Sequence, residues 1–348
     1  MTRHVLSSSA SAKLNTTLSH NYQFSAPLSP VTFTIVPVTE ADARSFLVDA
    51  LGLAVGNVEV AGEGAWSRCF GYQVDGRDYV VRFGLHVEDF DKDRRSFEWA
   101  APNLPVPEVI DIGSAFDGFY AISTRSFGTP LEQCDARGWT TVVGSLADTI
   151  EAMRRVQLPS DSGWGLWSSS GVTTHKTWRD YLMNVTFDDP ARRIYGWSKA
   201  LATNDAATTT FAWGVALLDS LAKNDVTKNV AHCDLINRNV HVLDNRITGV
   251  FDWGCAIYGD HLYELALVEF WRDWYPQLDI GLVRTELWNR WRAIGYAPHH
   301  FEERMLACSL HIGLEHMAYN AFINDWTAVA QIENRMRRLA SGFAERST

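Results

Sequence analysis

The hydrophobic pattern of this chain changes near Thr129, and that change restricts the folds open to it. Before Thr129, short runs rich in β-branched and aromatic residues predict strands in NVEV, SRCFGYQV, DYVVRFG, LPVPEVIDIG and GFYAISTRSFG. The Asp75-Gly76 pair between the second and third runs is typical of a two-residue hairpin turn. We therefore expect an antiparallel sheet, with one helix inserted over residues 90–101 and an earlier helix capped by Thr39.

Helical periodicity dominates the chain after Thr129. The run WTTVVGSLADTIEAMRRV places apolar residues on one helical face, namely Val143, Leu146, Ile150 and Met153. Similar patterns predict further helices over residues 199–222, 262–274, 282–294 and 302–324. A sheet followed by helices in this order predicts an α+β fold.

Composition and pattern together divide the chain into three regions. Residues 1–34 are rich in Ser, Thr and Asn, contain no acidic residue and lack the compact apolar block of a secretory signal. That composition favours a disordered tail over an organellar transit peptide. Residues 35–125 are expected to form the β-rich N-terminal lobe, and residues 126–348 the mainly helical C-terminal lobe.

Charge and cysteine content argue against several classes of protein. The 348 residues carry a net charge of −10, which disfavours a grip on nucleic-acid phosphates and suits a cationic small molecule. The five cysteines form no Cys-x-x-Cys pair, so a disulfide framework or zinc knuckle is not indicated, and a reducing cytoplasm is expected. No apolar run approaches the roughly 18 residues of a membrane helix. We expect a monomer that binds neither nucleic acid nor membrane.

Residues 229–254, NVAHCDLINRNVHVLDNRITGVFDWG, concentrate carboxylates and amides around a predicted hairpin. With DN as the turn, VHVL and RITGVF pair antiparallel, which places Asn239 opposite Val250 and Asp252 just beyond it. Asp234 lies in the loop that leads into this open end. Amide and carboxylate oxygens are ligands that Mg²⁺ prefers, whereas the alternative is a set of Asx turns and caps. The combined spacing favours the metal.

These loop residues carry a family resemblance. His232-Cys233-Asp234 with Asn239, followed by FDWG, resembles the catalytic and metal-binding loops of the protein-kinase-like fold. In this form the chain is similar to the aminoglycoside phosphotransferase family. Further segments that carry the resemblance, in the family's order within residues 60–275, are EGAWSRCF, VPEVIDIG, TWRDY, DNRITGVFDW, GDHLYELA and FWRDW. The resemblance implies a bilobal protein-kinase-like fold, with an antiparallel sheet and one helix insert in the first lobe.

The resemblance also implies an activity. A member of this family would use Mg²⁺ to transfer the γ-phosphoryl group of ATP, or GTP, to a hydroxyl of an aminoglycoside antibiotic. The matching segments favour hygromycin B or a relative as the acceptor. Asp234 would orient the attacking hydroxyl, while Asn239 and Asp252 would hold Mg²⁺ against the phosphates. His232 is expected to fasten the loop, and Asp260 to brace it.

A nucleotide site in the first lobe is implied in the same way. The GEGAWS segment would cover the phosphates, and the third strand offers Arg82 where the wider family has lysine. Asp93 is expected to orient that arginine, with Glu98 as a second choice. Adenine would meet the backbone where the lobes join. The nucleotide-binding residues implied are Gly62, Gly64, Ser67, Arg82, Asp93, Thr124, Ser126 and Phe127.

Acceptor contacts are expected from acidic and aromatic side chains, because the implied acceptor is cationic and rich in hydroxyls. Trp271 and Trp274 match tryptophans of the sugar site, although packing between helices is an equal alternative. Arg238 stands where hygromycin-modifying members have asparagine, and a cation there would repel an amine. The acceptor contacts implied are Asp234, Arg238, Trp271, Trp274, Glu269 and Asp273, with Glu315 and Asp325 as further amine partners.

Three other functions stay open on these grounds. A kinase of the same fold could act on a metabolite alcohol such as choline, homoserine or a sugar, and only the resemblance favours the antibiotic. A catalytically silent binding module is disfavoured, because every expected phosphoryl-transfer group is present. A metal-dependent hydrolase built on His232, Asp234 and Asp252 lacks the further His-Asp cluster of a two-metal site.

Overall fold

The structure, a computed structural model, describes residues 38–64, 67–223, 225–236 and 238–347. The region predicted to be a disordered tail, residues 1–34, lies outside this described part. The described elements form a β-sheet lobe followed by a mainly helical lobe, which confirms the predicted α+β order.

The first lobe is a five-stranded antiparallel sheet in the order β1-β2-β3-β5-β4. Its strands are β1 (Val58–Glu63), β2 (Ser67–Val74), β3 (Arg77–Gly84), β4 (Val109–Ala115) and β5 (Gly118–Thr124). The predicted turn at Asp75 and Gly76 is confirmed, since both residues have positive φ between β2 and β3. Thr39 caps helix α1 (Glu40–Ser45) with a capping box, as predicted, and a π-helical turn at Phe46–Ala50 continues it over the sheet.

Helix α2 (Val87–Ser96) lies between the sheet and the second lobe. The helix predicted over residues 90–101 therefore begins and ends earlier than expected. Glu88 and Asp89 occupy its first turn, where acidic side chains interact favourably with the helix dipole. At its other end a 3-10 turn at Phe97–Trp99 finishes the helix before the chain reaches a proline.

The second lobe contains eight α-helices within the described residues. They are α3 (Ala136–Arg154), α4 (Trp178–Met183), α5 (Trp197–Leu201), α6 (Asp205–Leu221), α7 (Leu262–Phe270), α8 (Gly281–Ala293), α9 (Phe301–Phe322) and α10 (Trp326–Ser347). The helix predicted over residues 199–222 is divided, because the Asn204 side chain accepts the Ala207 N–H at 3.1 Å and starts a new helix. Helix α7 passes into a 3-10 turn at Trp271–Trp274, and α10 was not predicted.

Two small sheets complete the second lobe. One contains β6 (Thr129–Pro130), β10 (Val240–Leu243) and β11 (Arg246–Val250) in the order β11-β10-β6. The other contains β7 (Trp164–Trp167), β8 (Thr173–His175), β9 (Lys228–Ala231) and β12 (Ile257–Asp260) in the order β8-β7-β12-β9. The β10–β11 hairpin is confirmed, with Asp244 and Asn245 at positive φ in its turn.

The register of this hairpin differs from the prediction by one residue. Val240 pairs with Val250, and the Phe251 N–H donates to the Asn239 carbonyl at 2.8 Å, so Asn239 lies opposite Phe251 rather than Val250. The reason is a bulge that leaves Thr248 of β11 without a partner in the ladder. The predicted register assumed a regular ladder from the turn outward, and the extra residue in β11 shifts the pairing by one.

The larger core belongs to the second lobe and is rich in tryptophan. Trp139, Trp167, Trp253 and Trp291 are among the largest fully buried side chains. Trp253 directly follows Asp252, so the polar end of the hairpin is anchored in apolar packing. None of the described helices is both long and apolar enough to cross a membrane.

Candidate active site

A cavity of about 1040 Å³ lies between the two lobes and takes walls from both. The sheet and α2 form one wall, and the loops that flank β10 and β11 form the other. Predicted residues that the structure brings to this cavity are Gly62, Gly64, Ser67, Arg82, Asp93, Thr124, Ser126, Phe127, Asp234, Arg238, Asn239 and Asp252. A cleft of this size accommodates a nucleotide together with part of a second small molecule.

Asp234 and Asn239 are held together in the loop between β9 and β10. Asp234 is 6% exposed, and the Asn239 Nδ2 donates to its carbonyl at 2.9 Å and to its Oδ2 at 2.8 Å. Because that nitrogen is committed, the Oδ1 of Asn239 is the atom of the amide suited to a cation or a hydroxyl. The loop therefore presents one carboxylate and one amide oxygen in a fixed relation.

His232 anchors the same loop to the segment that carries Asp252. Its Nε2 lies 2.7 Å from the Phe251 carbonyl oxygen, to which it can only donate, and its ring packs edge-on against Trp253. Burial lowers the pKa of His232 to about 4, so the ring is neutral near pH 7. These contacts agree with the predicted fastening role.

Glu264 of α7, rather than Asp260, contacts this loop from behind. Cys233, which has φ of 65°, donates its N–H to the Glu264 Oε2 at 2.9 Å. Burial raises the pKa of Glu264 to about 7, although the N–H groups of Cys233 and His232 act to lower it. Asp260 instead accepts two bonds from Arg304 of α9, at 2.8 and 2.6 Å. The prediction that Asp260 braces the loop was therefore wrong, because Arg304 holds it.

Arg82 of β3 lies between two carboxylates at the cavity wall. Its Nη2 pairs with the Asp93 Oδ2 at 2.8 Å, and its Nη1 lies 4.0 Å from the Asp252 Oδ1. Burial raises the pKa of Asp93 to about 6, against the lowering effect of Arg82. Asp252 has φ of 58° and keeps 45% of its side chain exposed to the cavity. Asp93 thus holds the arginine as expected, whereas Glu98 points to solvent.

Two further side chains of α2 reach this region without having been predicted. Asp89 lines the cavity, and its Oδ2 pairs with Arg193 at 3.3 Å. Lys92 is 1% exposed and donates to the Gly254 carbonyl at 2.6 Å. Both lie in a run of charged residues, so no local pattern distinguishes them from a solvated helix face.

The loop between β1 and β2 is described up to Gly64 and again from Ser67. The Gly64 N–H donates to the Ser67 carbonyl at 2.9 Å, which narrows the base of the loop. Arg238, at φ of 64°, extends from the opposite wall and donates to the Glu63 carbonyl at 3.1 Å. The guanidinium that was predicted as an acceptor contact therefore also joins the two walls.

Residues 124–127 connect the lobes along the cavity. The Glu108 N–H donates to the Thr124 Oγ1 at 3.0 Å, and the Thr124 N–H donates back to the Glu108 carbonyl at 2.9 Å. The Thr248 hydroxyl donates a hydrogen bond to the Phe127 carbonyl at 2.6 Å. The bulged residue of β11 thus fixes the connection that was predicted to meet adenine.

The predicted acceptor tryptophans are not on the described cavity wall. Trp271 is 7% exposed and packs edge-on against Trp274 and His316. Trp274 also stacks on Phe270. These contacts are those of helix packing, which was the stated alternative, and the acceptor role of the two rings stays a prediction.

The predicted acceptor acids are each engaged by the protein itself. Glu269 accepts two bonds from Arg284, at 2.6 and 2.5 Å, and Asp273 pairs with Arg338. Glu315 pairs with Arg192, whereas Asp325 accepts a hydrogen bond from the Ala328 N–H. Carboxylates already neutralised by arginine attract an acceptor amine less strongly, so free acids must be found elsewhere.

Glu132, after β6, is a cavity acid that was not predicted. Its Oε2 is buried and has no hydrogen-bond partner within the described residues. Tyr275 lies on the same cavity wall and donates its hydroxyl to the Ile236 carbonyl at 3.0 Å. A buried carboxylate oxygen without a donor is costly, so a ligand that supplies a hydroxyl or an ammonium would stabilise it.

The donor set at the hairpin end fits a hard divalent cation. Asp252 offers an exposed carboxylate and Asn239 an uncommitted amide oxygen, and Mg²⁺ prefers few protein oxygens supplemented by phosphate and water. Among the described residues, no three His, Cys, Asp or Glu side chains are grouped to hold a metal ion by themselves. The site therefore suits a cation that arrives with phosphate oxygens.

Comparison with known proteins gives concordant sequence matches. Residues 59–300 match a family model described as "Phosphotransferase enzyme family" (APH). Hygromycin-B 4-O-kinase from Escherichia coli is 31% identical over 239 residues, which is 68% of this chain and 68% of that protein.

Solved structures match over most of the chain. A thermostable variant of aminoglycoside phosphotransferase APH(4)-Ia, in ternary complex with AMP-PNP and hygromycin B, has a TM-score of 0.72 and 28% identity. That match covers 85% of this chain and 96% of the other. Spectinomycin phosphotransferase APH(9)-Ia, in complex with ADP and spectinomycin, has a TM-score of 0.55 over 87% of this chain and 94% of its own. At 10% identity, this second match shows the fold alone.

Proposed function

The chain belongs to the phosphotransferase enzyme family, and from this premise we propose that it is a Mg²⁺-dependent aminoglycoside kinase. It transfers the γ-phosphoryl group of ATP, or GTP, to a hydroxyl of hygromycin B or a relative and so confers resistance. The observation that carries the proposal is the meeting of Asp234, Asn239 and Asp252 on one interlobe cavity. The 31% identity to a hygromycin-B 4-O-kinase supports the choice of acceptor.

Asp234 acts on the acceptor in this proposal. The acceptor oxygen attacks the γ-phosphorus, the bond to the bridging oxygen breaks, and the nucleoside diphosphate leaves. The Asp234 carboxylate orients the hydroxyl and takes its proton. Asn239 donates a hydrogen bond to the Asp234 Oδ2 at 2.8 Å, so the carboxylate is already oriented before the reaction begins.

Arg82, Asp93 and Asp252 serve the phosphates. Arg82 lies on the cavity wall with Asp93 behind it, so its guanidinium is held in place before the nucleotide binds. Asp252 and Asn239 would hold Mg²⁺, which would neutralise charge on the phosphate oxygens. Gly62, Gly64 and Ser67, which line the cavity on the sheet side, contact these phosphates.

Adenine occupies the part of the cavity beside residues 124–127. Val80, Ala121 and Val250 line it with apolar surface, which suits the faces of a base. We place the boundary between the lobes in this connection, at residues 125 and 126. The nucleotide thereby spans both lobes.

The acceptor side supports a second candidate. Arg238 adds a cation to the cavity that Asp234 lines, and three of the four acids predicted for amines pair with arginines, as Glu269 does with Arg284. Both observations favour an acceptor with few amines, such as a metabolite alcohol. The unpartnered oxygen of Glu132 suits an ammonium or a hydroxyl, so it is compatible with either class of acceptor. A direct comparison of acceptors must decide between the two classes.

The deciding experiment is a panel of aminoglycosides and small alcohols incubated with Mg²⁺ and ATP or GTP. Nucleotide consumption and product mass are measured together. A gain of one phosphate on hygromycin B supports the proposal, and the same gain on a metabolite alcohol alone supports the second candidate. Absence of Mg²⁺-dependent nucleotide binding in calorimetry contradicts both. We further propose that the protein is cytoplasmic and that it is a monomer, and sedimentation of the purified protein tests the oligomeric state.

A further inference from the structure

We propose that Lys92 of α2 is a positioning residue for the proposed metal site, acting through the segment that follows Asp252. Lys92 is 1% exposed, an unusual place for an ammonium group. Its Nζ donates to the Gly254 carbonyl at 2.6 Å and lies 3.5 Å from the Ala256 carbonyl. The charge also lies 4.6 Å from the centre of the Trp167 ring. The inference rests on the proposed function.

Two consecutive residues of α2 bind the same short segment. Asp93 accepts the Trp253 N–H at 2.8 Å, while Lys92 donates to the carbonyls of Gly254 and Ala256. Asp93 and Lys92, which carry opposite charges, thus bind the backbone on the two sides of the peptide bond between residues 253 and 254. Such paired contacts fix the orientation of the segment as well as its distance from the helix.

Asp252 needs this support because its own backbone is strained. Its φ of 58° lies in the left-handed region, which residues other than glycine adopt infrequently. On the N-terminal side, Phe251 is held by His232 and by the Asn239 carbonyl. On the C-terminal side, α2 supplies side-chain hydrogen bonds to the backbone of the segment. Lys92 therefore completes the clamp that directs the carboxylate of Asp252 into the cavity.

Packing alone does not account for a lysine at this position. Removing a charge from water is unfavourable, and an apolar side chain of similar length would fill the space without that cost. What methionine lacks is a donor for the two carbonyls. Residues that orient metal ligands from behind change metal affinity by roughly 10–100-fold when they are replaced.

The test compares Lys92→Met with Arg94→Met, which removes an exposed cation from the same helix. Calorimetry with AMP-PNP, across a range of Mg²⁺ concentrations, reports binding without turnover. For Lys92→Met we expect the Mg²⁺ concentration at half-maximal coupling to rise roughly 10–100-fold, with metal-free AMP-PNP affinity unchanged. Arg94→Met should match the parent in both.

Lys92→Gln covers the case in which Lys92→Met does not fold, since the amide keeps a donor in the same space. We expect an intermediate loss of Mg²⁺ coupling for it. A lower melting temperature with parental Mg²⁺ dependence, in either variant that folds, would make Lys92 merely structural and overturn the proposal. If the parent itself binds AMP-PNP without any Mg²⁺ effect, the proposed function falls together with this inference.

Discussion

Asp234 makes contacts that fit two roles, one toward the acceptor and one within its own loop. Its side chain lines the cavity, and its Oδ2 accepts the Asn239 amide at 2.8 Å. Asp234→Asn keeps the shape and removes the charge, so kcat should fall by ~10²–10⁴ while nucleotide affinity changes little. Steady-state kinetics and AMP-PNP calorimetry measure the two quantities. Near-parental kcat with weaker nucleotide binding and a lower melting temperature would assign the carboxylate to the loop instead.

Glu264 gives the catalytic loop a dependence on pH. Burial raises the pKa of Glu264 from 4.5 to about 7. A carboxyl that holds its proton more tightly when folded contributes stability below its unfolded pKa, and that contribution is lost as pH rises through the folded pKa. Glu264→Gln cannot ionise. The difference between its melting temperature and that of the parent should therefore shift in favour of the variant as the pH rises from about 5 to about 8.

The control for this prediction is Glu98→Gln, which changes an exposed acid. Its melting temperature relative to the parent should stay constant across the same pH range. If Glu264→Gln also gives a constant difference, the carboxyl does not titrate between its folded and unfolded pKa values as proposed.

Single residues were predictable where their partners are close in sequence. Asp234 and Asn239 lie five positions apart, and their spacing, taken together with the FDWG segment that follows, indicated a shared site. Glu264 binds a residue 31 positions away, and Lys92 binds carbonyls 162 and 164 positions away. A sequence pattern records periodicity and short spacings, so contacts made by folding distant segments together left no signal in it.

The β10–β11 hairpin shows the same limit at the scale of an element. Its strands and turn were predicted from local preference, yet its register was wrong by one residue because of the bulge at Thr248. A bulge is selected by contacts outside the hairpin, here the bond from the Thr248 Oγ1 to the Phe127 carbonyl. That partner lies 121 positions away, in the connection between the lobes, so alternation within β11 could not reveal it.

The turn of this hairpin offers a test of how the element supports the site. Asn245 has φ of 62° and accepts a bond from the Thr141 hydroxyl. Asn245→Gly and Asn245→Val both lose that bond, but only valine is strained at positive φ, by roughly 1–2 kcal/mol. The free energy of unfolding in urea should therefore be lower for Asn245→Val than for Asn245→Gly by that amount. AMP-PNP affinity should fall for valine, because the hairpin places Asn239 and Asp252.

The comparison of the two variants isolates the backbone conformation from the lost hydrogen bond. Equal stability of the glycine and valine variants would show that the turn does not hold this conformation. Equal AMP-PNP affinity with unequal stability would show that the turn and the site are independent.

At the scale of the whole molecule, the bilobal protein-kinase-like fold predicted from the sequence is confirmed. Periodicity alone gave the order of sheet and helices, and the family resemblance supplied how the lobes face each other. The acceptor region was not predictable in the same way. From the sequence, acids such as Glu269 were predicted to be free to bind an acceptor amine. In the folded chain they pair with arginines such as Arg284. Whether a charge is free depends on the packing of distant helices.

The start of the first lobe gives a prediction that concerns the whole molecule. Val38 is 1% exposed in the core of the first lobe, and its carbonyl accepts a bond from Arg68 at 2.8 Å. Thr39 caps α1, which packs on the sheet that walls the cavity. A chain that lacks residues 1–34 keeps all of these contacts. We expect its melting temperature and kcat/KM to equal those of the full chain.

A chain that lacks residues 1–39 is the matched comparison. It loses the buried Val38 side chain, worth ~1.5–3 kcal/mol, and the Thr39 cap, worth ~1 kcal/mol. Its melting temperature should therefore fall, and nucleotide affinity should fall with it, because α1 supports the sheet from which Arg82 and the loop after Gly62 extend. Calorimetric melting of both chains, with and without AMP-PNP and Mg²⁺, measures these effects. A loss of stability or activity on removing residues 1–34 alone would place that region within the functional fold.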